Sequence, residues 1–246
     1  MTIVRLEIGQ TVKISYPLIR TDSGKPVAMT AAITLIIGNK AYSSWSLRPW
    51  LALKQTGQVF EEKLIPLRQP DTRARIGAVS PSGTVPVLID RGVGDEPVVV
   101  WDSLAVCEYV AERFPDARLW PDDIRTRAAA RSVASEMHAG FAPLRTHMSM
   151  NLKERLPGTG RTPEVEANIG RIVTLWTDAR TRFGQGGDFL FGRFSIADAM
   201  FAPVVTRFET YGVELPPLAR AYADAVLALP AMQEWMAAAV AEPWTL

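Results

Sequence analysis

The run ITLIIGNKAYSSWSLRPWLALK, residues 33–54, decides how the chain reads. Its first five residues are apolar and rich in β-branched side chains, which favours a strand. Gly38 closes that run, and a short polar turn leads to Ser43, Ser44 and Ser46. Leu47, Trp50, Leu51 and Lys54 then recur at helical spacing. Pro49 is tolerable only in a first helical turn, where a missing N–H costs little. That places the helix start near residues 44–46, and Gly57 ends the helix. The order is strand, loop, hydroxyl cluster, helix N-terminus. Unpaired amides and the positive end of the helix dipole favour a thiolate, phosphate or carboxylate there. The plainer alternative is that one of the serines merely caps the helix.

Downstream, residues 59–67 read as a second strand and residues 71–79 as a short helical or irregular piece. Residues 85–89 and 98–101 are apolar runs joined by RGVGDE, a hairpin pattern. Asp102 and Ser103 introduce a further helix carrying Leu104, Val106, Cys107 and Val110. Beyond Phe114 and Pro115 no strand pattern competes with long helices. Residues 122–150 predict one long helix, bent near Gly140 and Pro143. Residues 164–183, a helix opened by Ser195, and residues 217–229 and 231–240 supply the rest. The expectation is an α/β domain at 33–114 followed by an all-helical domain at 122–246. Upstream, residues 1–32 form an extension of uncertain structure. Val4, Leu6 and Ile8, then Val12, Ile14 and Tyr16, alternate as two short strands would, and Met29 is an alternative translational start.

Composition narrows the function classes. The chain has 246 residues, 48% of them hydrophobic, and a net charge of +1, so neither sign predicts a nucleic-acid groove. Arg125, Arg127 and Arg131 read as a solvated helix face. A single cysteine, Cys107, excludes an internal disulfide and a thiolate-rich metal site. His138 and His147 are poorly spaced for one helical face, and no metal is expected. No apolar run reaches membrane-spanning length and no secretory leader is visible, so a cytoplasmic protein without a membrane partner is expected.

Three further segments carry polar groups at element starts. In SPSGTVP, residues 80–86, Pro86 opens a strand; taken alone it reads as a trans edge-strand proline. In WDS, residues 101–103, Asp102 can cap a helix while Ser103 offers a hydroxyl and an amide to an anion. FSIAD, residues 194–198, is a capping box of Ser195 and Asp198 with Phe194 placed as a staple, a structural device. Most of the seven tryptophans read as core or domain interface; Trp45 is the exception, on the open side of the loop. Cys107 reads as an inert buried thiol.

Taken in register, AYSSWSLRPWLAL, SGTVPVL, WDSLAVCEYV and FSIADAMFAPV resemble the glutathione transferase superfamily over residues 33–246, closest to its serine-containing bacterial and zeta-type members. The resemblance implies a thioredoxin-like first domain, an all-helical second domain, a homodimer, and glutathione as cosubstrate with no other cofactor. It implies that Ser43 or Ser44 contacts the glutathione sulfur. Val85 would pair with the cysteinyl backbone, Pro86 would be cis, and Asp102 and Ser103 would hold the γ-glutamyl end. Trp45, His138, Phe141 and Arg145 become walls of a pocket for a small electrophile, with Met137 in the same region. Trp45 stands where zeta-type isomerases carry a cysteine, which argues against simple transfer of the maleylacetoacetate isomerase role. The expected activity is thiolate attack on an electrophile. Glutathione-dependent isomerisation or dehalogenation, and a non-catalytic binding module on the same fold, are the alternatives.

Overall fold

The computed structural model describes residues 31–245; the two short strands expected at 4–16 and the alternative start at Met29 lie outside them. The apolar run becomes β1, Ile33–Ile37, every residue of which is buried. It is covered on both edges. β2, Glu61–Leu64, pairs with it in parallel, and β3, Val87–Asp90, pairs antiparallel on the other side. β4, Val98–Trp101, completes the sheet in the order β2-β1-β3-β4. The parallel β1–β2 pair needs a crossover, and α1, Ser44–Gln55, supplies it. α2, Thr72–Gly77, precedes β3, and α3, Ser103–Arg113, follows β4.

Two strands are shorter than the sequence predicts. Val59 is 72% exposed and takes no part in β2, because pairing to β1 begins at Glu61. β3 starts at Val87 rather than Val85, directly after a Val85–Pro86 peptide that is cis. The trans reading of Pro86 taken from the segment alone is thereby corrected.

The remainder is helical: α4 Ile124–Ala139, α5 Ala142–His147, α6 Pro163–Phe183, α7 Ile196–Tyr211, α8 Pro217–Ala228 and α9 Pro230–Ala241. A mixed β/α domain is thus followed by an all-α domain. The single bent helix predicted for 122–150 is instead two helices. The chain breaks at Gly140 and Phe141, the latter at φ 59°. A Cβ on Gly140 would stand 2.7 Å from the Glu136 carbonyl oxygen, so only glycine ends α4 in this way. Pro143 then sits in the first turn of α5, where its missing N–H is harmless.

α7 is the helical domain's centre, with every residue but Glu209 buried. Asp198 starts it by accepting from the Ser195 N–H at 2.8 Å, the Ser195 hydroxyl at 2.9 Å and the Leu190 N–H at 3.0 Å. Trp176 of α6 packs against Phe201, Phe208 and Tyr222 with ring centroids 4.9–5.7 Å apart. Each such contact contributes about 0.5–1.5 kcal/mol beyond burial. One apolar core runs from the sheet into this bundle, because α1 packs on α3 with one side and on α7 and α9 with another. The residues at the start of α1 are therefore held from both domains.

Candidate functional site

Residues 38–43 join β1 to α1, and almost every backbone group in this loop is tied. The Ser46 hydroxyl oxygen accepts from the Gly38 N–H at 3.0 Å. Asn39 Oδ1 accepts from the Leu67 N–H at 2.7 Å. Glu242, just past α9, accepts from the Lys40 N–H at 2.6 Å and the Ala41 N–H at 3.1 Å. The Trp235 indole donates to the Lys40 carbonyl at 2.9 Å, and the Leu152 N–H donates to Ala41 O at 3.1 Å. Lys40 itself lies between the Trp50 and Trp235 rings, 5.2 Å from each, and pairs with Glu62 at 2.9 Å. Such a loop holds its side chains in one geometry.

Ser43 and Ser44 are both buried at the helix start, but their hydroxyls are used differently. The Ser43 hydroxyl donates to Ser46 Oγ at 2.8 Å. The Ser44 Oγ accepts from Arg207 Nη2, 3.2 Å away across the domain junction on α7. Its own proton has no acceptor among the described residues. Arg207 is fully buried, and its other nitrogens donate to Met148 O at 2.8 Å and Pro203 O at 3.0 Å. Burial, then the charge of Arg145, pushes its pKa down to about 10, so it stays cationic at neutral pH.

Before β3, Ser80 folds the turn on itself, donating to Thr84 O at 2.7 Å and accepting from Thr84 N–H at 3.2 Å. The backbone N–H and C=O of Val85 meet no partner among the described residues. At the end of β4, Asp102 adopts φ 75° and ψ 137°, a conformation that costs a non-glycine residue of order 1–3 kcal/mol. Its Oδ1 offsets this by accepting from the Leu104 and Ala105 amides at 2.9 and 3.2 Å. Its Oδ2 lies 3.2 Å from His138 Nε2. Ser103 is 1% exposed, and its Oγ has no partner among the described residues.

Trp45, half-buried, is the centre of a basic group. His138 meets it edge-on at 5.4 Å, and the guanidinium carbons of Arg48 and Arg145 lie 4.3 and 5.5 Å from its ring centroid. His138 and Arg145 thus both lie against Trp45. Phe141 packs into the core at the α4–α5 break, and Met137 is fully buried there too. A cleft of about 370 Å³ also opens beside the loop, lined by Tyr42, Leu67, Arg68, Ser149, Met150 and Asn151.

Sequence reasoning passed over Tyr42, Arg48, Arg207 and Glu242. Arg48 follows Trp45 at helical spacing, and Arg207 is a lone cation in an apolar helix; either could have been noticed. Nothing local marks Glu242. Cys107 is buried, and burial pushes its thiol well above the usual range, in keeping with an inert role. Among the described residues no cluster of metal-ligating side chains occurs, and no helix is long and apolar enough to cross a membrane.

Residues 42–113 match the family profile described as glutathione S-transferase, N-terminal domain, and residues 162–238 match glutathione S-transferase, C-terminal domain. The chain is 30% identical over 206 residues to glutathione S-transferase Z2 of Arabidopsis thaliana, covering 79% of this chain and 88% of that protein. It is 26% identical over 178 residues to a probable maleylacetoacetate isomerase of Caenorhabditis elegans, covering 71% and 78%. Among solved structures, a glutathione transferase homolog from Burkholderia gl BGR1, crystallised with bound glutathione, superposes with a TM-score of 0.63. That match is 23% identical and covers 85% of this chain and 99% of that one.

Proposed function

We propose, for a chain that belongs to the glutathione S-transferase family, that it binds glutathione as thiolate and transfers it to a small electrophile. The observation that carries this reading is a set of hydrogen-bonding groups, unfilled among the described residues, at the end of the sheet where Ile36, Val87 and Trp101 are register neighbours. These are the Ser103 hydroxyl, the Val85 backbone pair and the Ser44 hydroxyl proton. Their order suits the three parts of glutathione. Ser103, with the α3 N-terminus, would take the γ-glutamyl carboxylate and Asp102 its ammonium. Val85 would pair with the cysteinyl backbone, and the sulfur would reach the start of α1.

Between the two serines, Ser44 is the better thiolate donor. The Ser43 proton is directed to Ser46, whereas Ser44 keeps its proton and is polarised by Arg207. A serine hydroxyl is too weak an acid to act as a base at neutral pH. It stabilises the sulfur as thiolate, and the thiol proton leaves to water. Thiols ionise near pH 8.5 in model form. Lowering that by about two units needs roughly 2.7 kcal/mol. One charge-assisted hydrogen bond and a helix terminus supply that amount, and the Arg207 charge adds to it. The thiolate then forms an S–C bond as the leaving group departs with its electron pair.

The domains are assigned as 33–114 for glutathione and 122–246 for the acceptor side. A homodimer fits the apolar strip that β4 leaves on the sheet edge, where Val99 is 38% and Trp101 45% exposed. Likeness to a probable maleylacetoacetate isomerase favours glutathione-dependent isomerisation as the second reading. Steady-state assays with glutathione and a generic aryl halide test the proposal. Conjugate of the expected mass supports transfer, and an isomer of the acceptor with glutathione regenerated supports the second reading. Ser44→Ala should lower kcat/KM about tenfold or more. Unchanged rates in Ser43→Ala, Ser44→Ala and the double variant would remove the serine mechanism.

A further inference from the structure

We infer that the acceptor side of the site is built for an electrophile carrying a carboxylate, held by Arg48 and Arg145 against Trp45; this rests on the conjugation reading and names its substrate class. Arg48 is fully buried, and its Nε, Nη1 and Nη2 all lack a hydrogen-bond partner among the described residues. Stacking on Trp45 at 4.3 Å offsets part of the cost of burying the charge. It satisfies none of the N–H groups, which lie in the guanidinium plane.

The nearest carboxylate does not serve Arg48. Asp102 accepts from two amides of α3 through Oδ1 and faces His138 through Oδ2, and it bonds no nitrogen of Arg48. Arg207 adds positive charge while its own nitrogens bond Ser44, Met148 and Pro203. Arg145 is partly exposed and, among the described residues, donates to the Gly140 carbonyl through Nη1 alone, so its other N–H groups remain to meet a ligand. Burial first, then the charges of Arg207 and Arg145, push the Arg48 pKa down to about 9, and two of these guanidinium groups, Arg48 and Arg145, share the Trp45 indole. An incoming anion relieves that crowding.

A carboxylate matches the planar guanidinium fork with two parallel hydrogen bonds. The Trp45 face then supports the carbon skeleton. Arg145 is the first contact, and the unpaired Arg48 guanidinium lies against the same indole. The carboxylate itself does not react. It fixes the electrophilic carbon relative to the sulfur, where the S–C bond forms and the leaving group departs with its electron pair.

Paired acceptors differing only in charge test this with the full chain: a chloronitrobenzoate and the matching chloronitrobenzamide, at saturating glutathione. Each kcat/KM is divided by the uncatalysed rate constant, which removes the difference in intrinsic reactivity. The expected result is a preference for the carboxylate of about tenfold or more. It should fall several-fold in Arg48→Met and in Arg145→Gln, with glutathione affinity by calorimetry held near the parent value. Should Arg48→Met fail to fold, Arg145→Gln on the partly exposed α5 carries the test. Parent turnover without a carboxylate preference, or a preference that survives substitution, overturns the anion site and leaves the conjugation reading standing. Variants that weaken glutathione binding and slow both acceptors alike assign these arginines to a glutathione carboxylate and overturn it as well. No glutathione heat and no turnover of either acceptor would overturn the conjugation reading and this inference together.

Discussion

Removing the carboxylate of Glu242 should loosen the loop that carries the serines, although it lies 201 residues or more along the chain from the amides it binds. Those amides belong to Lys40 and Ala41, both buried, at 2.6 and 3.1 Å. Each bond to a charged acceptor is worth about 1.5–3 kcal/mol when fully buried. Glu242 is half-buried, and water can partly replace it, so Glu242→Ala should cost about 2–3 kcal/mol. For a chain of this size that lowers Tm by roughly 4–12 °C. Lys153 holds the tail through the carbonyls of Glu242 and Trp244, so the substitution removes the carboxylate without releasing the segment. Glu242→Gln keeps one acceptor oxygen and turns an amide group toward an N–H, so it should recover less than half of the loss. Thermal unfolding gives the size of the effect. Hydrogen exchange gives its place, with the Lys40 and Ala41 amides losing protection before the core does. A Tm shift below about 1 °C for Glu242→Ala, or unchanged exchange at those amides, would refute the clamp.

Two other outcomes follow from the geometry. Ser103→Ala should weaken glutathione binding about tenfold or more, read by calorimetry, because a buried hydroxyl facing an anion is lost; an unchanged Kd would move the γ-glutamyl end elsewhere. Asp198 sets a pH dependence. Burial pushes its carboxyl up to about 6, against three donors that favour the charged form. The folded state therefore binds the proton more tightly than the unfolded chain, whose carboxyl titrates near 3.8. This group's contribution is full below about pH 4, is lost as pH rises through about 6 and is constant above. The gap corresponds to about 3 kcal/mol at most. Denaturant titrations across that window should show the slope, and Asp198→Asn should flatten it.

Punctuation made the sheet domain legible. Gly38 and Pro49 bracket the β1–α1 junction, RGVGDE marks the hairpin, and Asp102 marks the start of α3, each a local conformational demand that sequence states directly. The Ser195–Asp198 cap was equally readable, since its partners lie three residues apart. The α4–α5 break was legible only as a bend near Gly140 and Pro143, because the close approach of Glu136 O that makes it a stop belongs to the folded chain. At the proposed site, three of the four motifs carry Ser43, Ser44, Val85, Pro86, Asp102 and Ser103. What sequence could not state was how the two serines differ. That depends on Arg207, which reaches Ser44 from a helix more than 150 residues away. Arg48 escaped notice for a related reason: its position beside Trp45 was visible, but its want of a hydrogen-bond partner among the described residues is a property of the packed domains.

If this chain holds glutathione with its sulfur ionised at neutral pH, an ultraviolet titration of the thiolate in the glutathione complex will register it. The apparent sulfur pKa should lie about two units below the free thiol's 8.5 and return toward the free value in Ser44→Ala. A complex whose sulfur titrates near 8.5, or no complex at all, would contradict it.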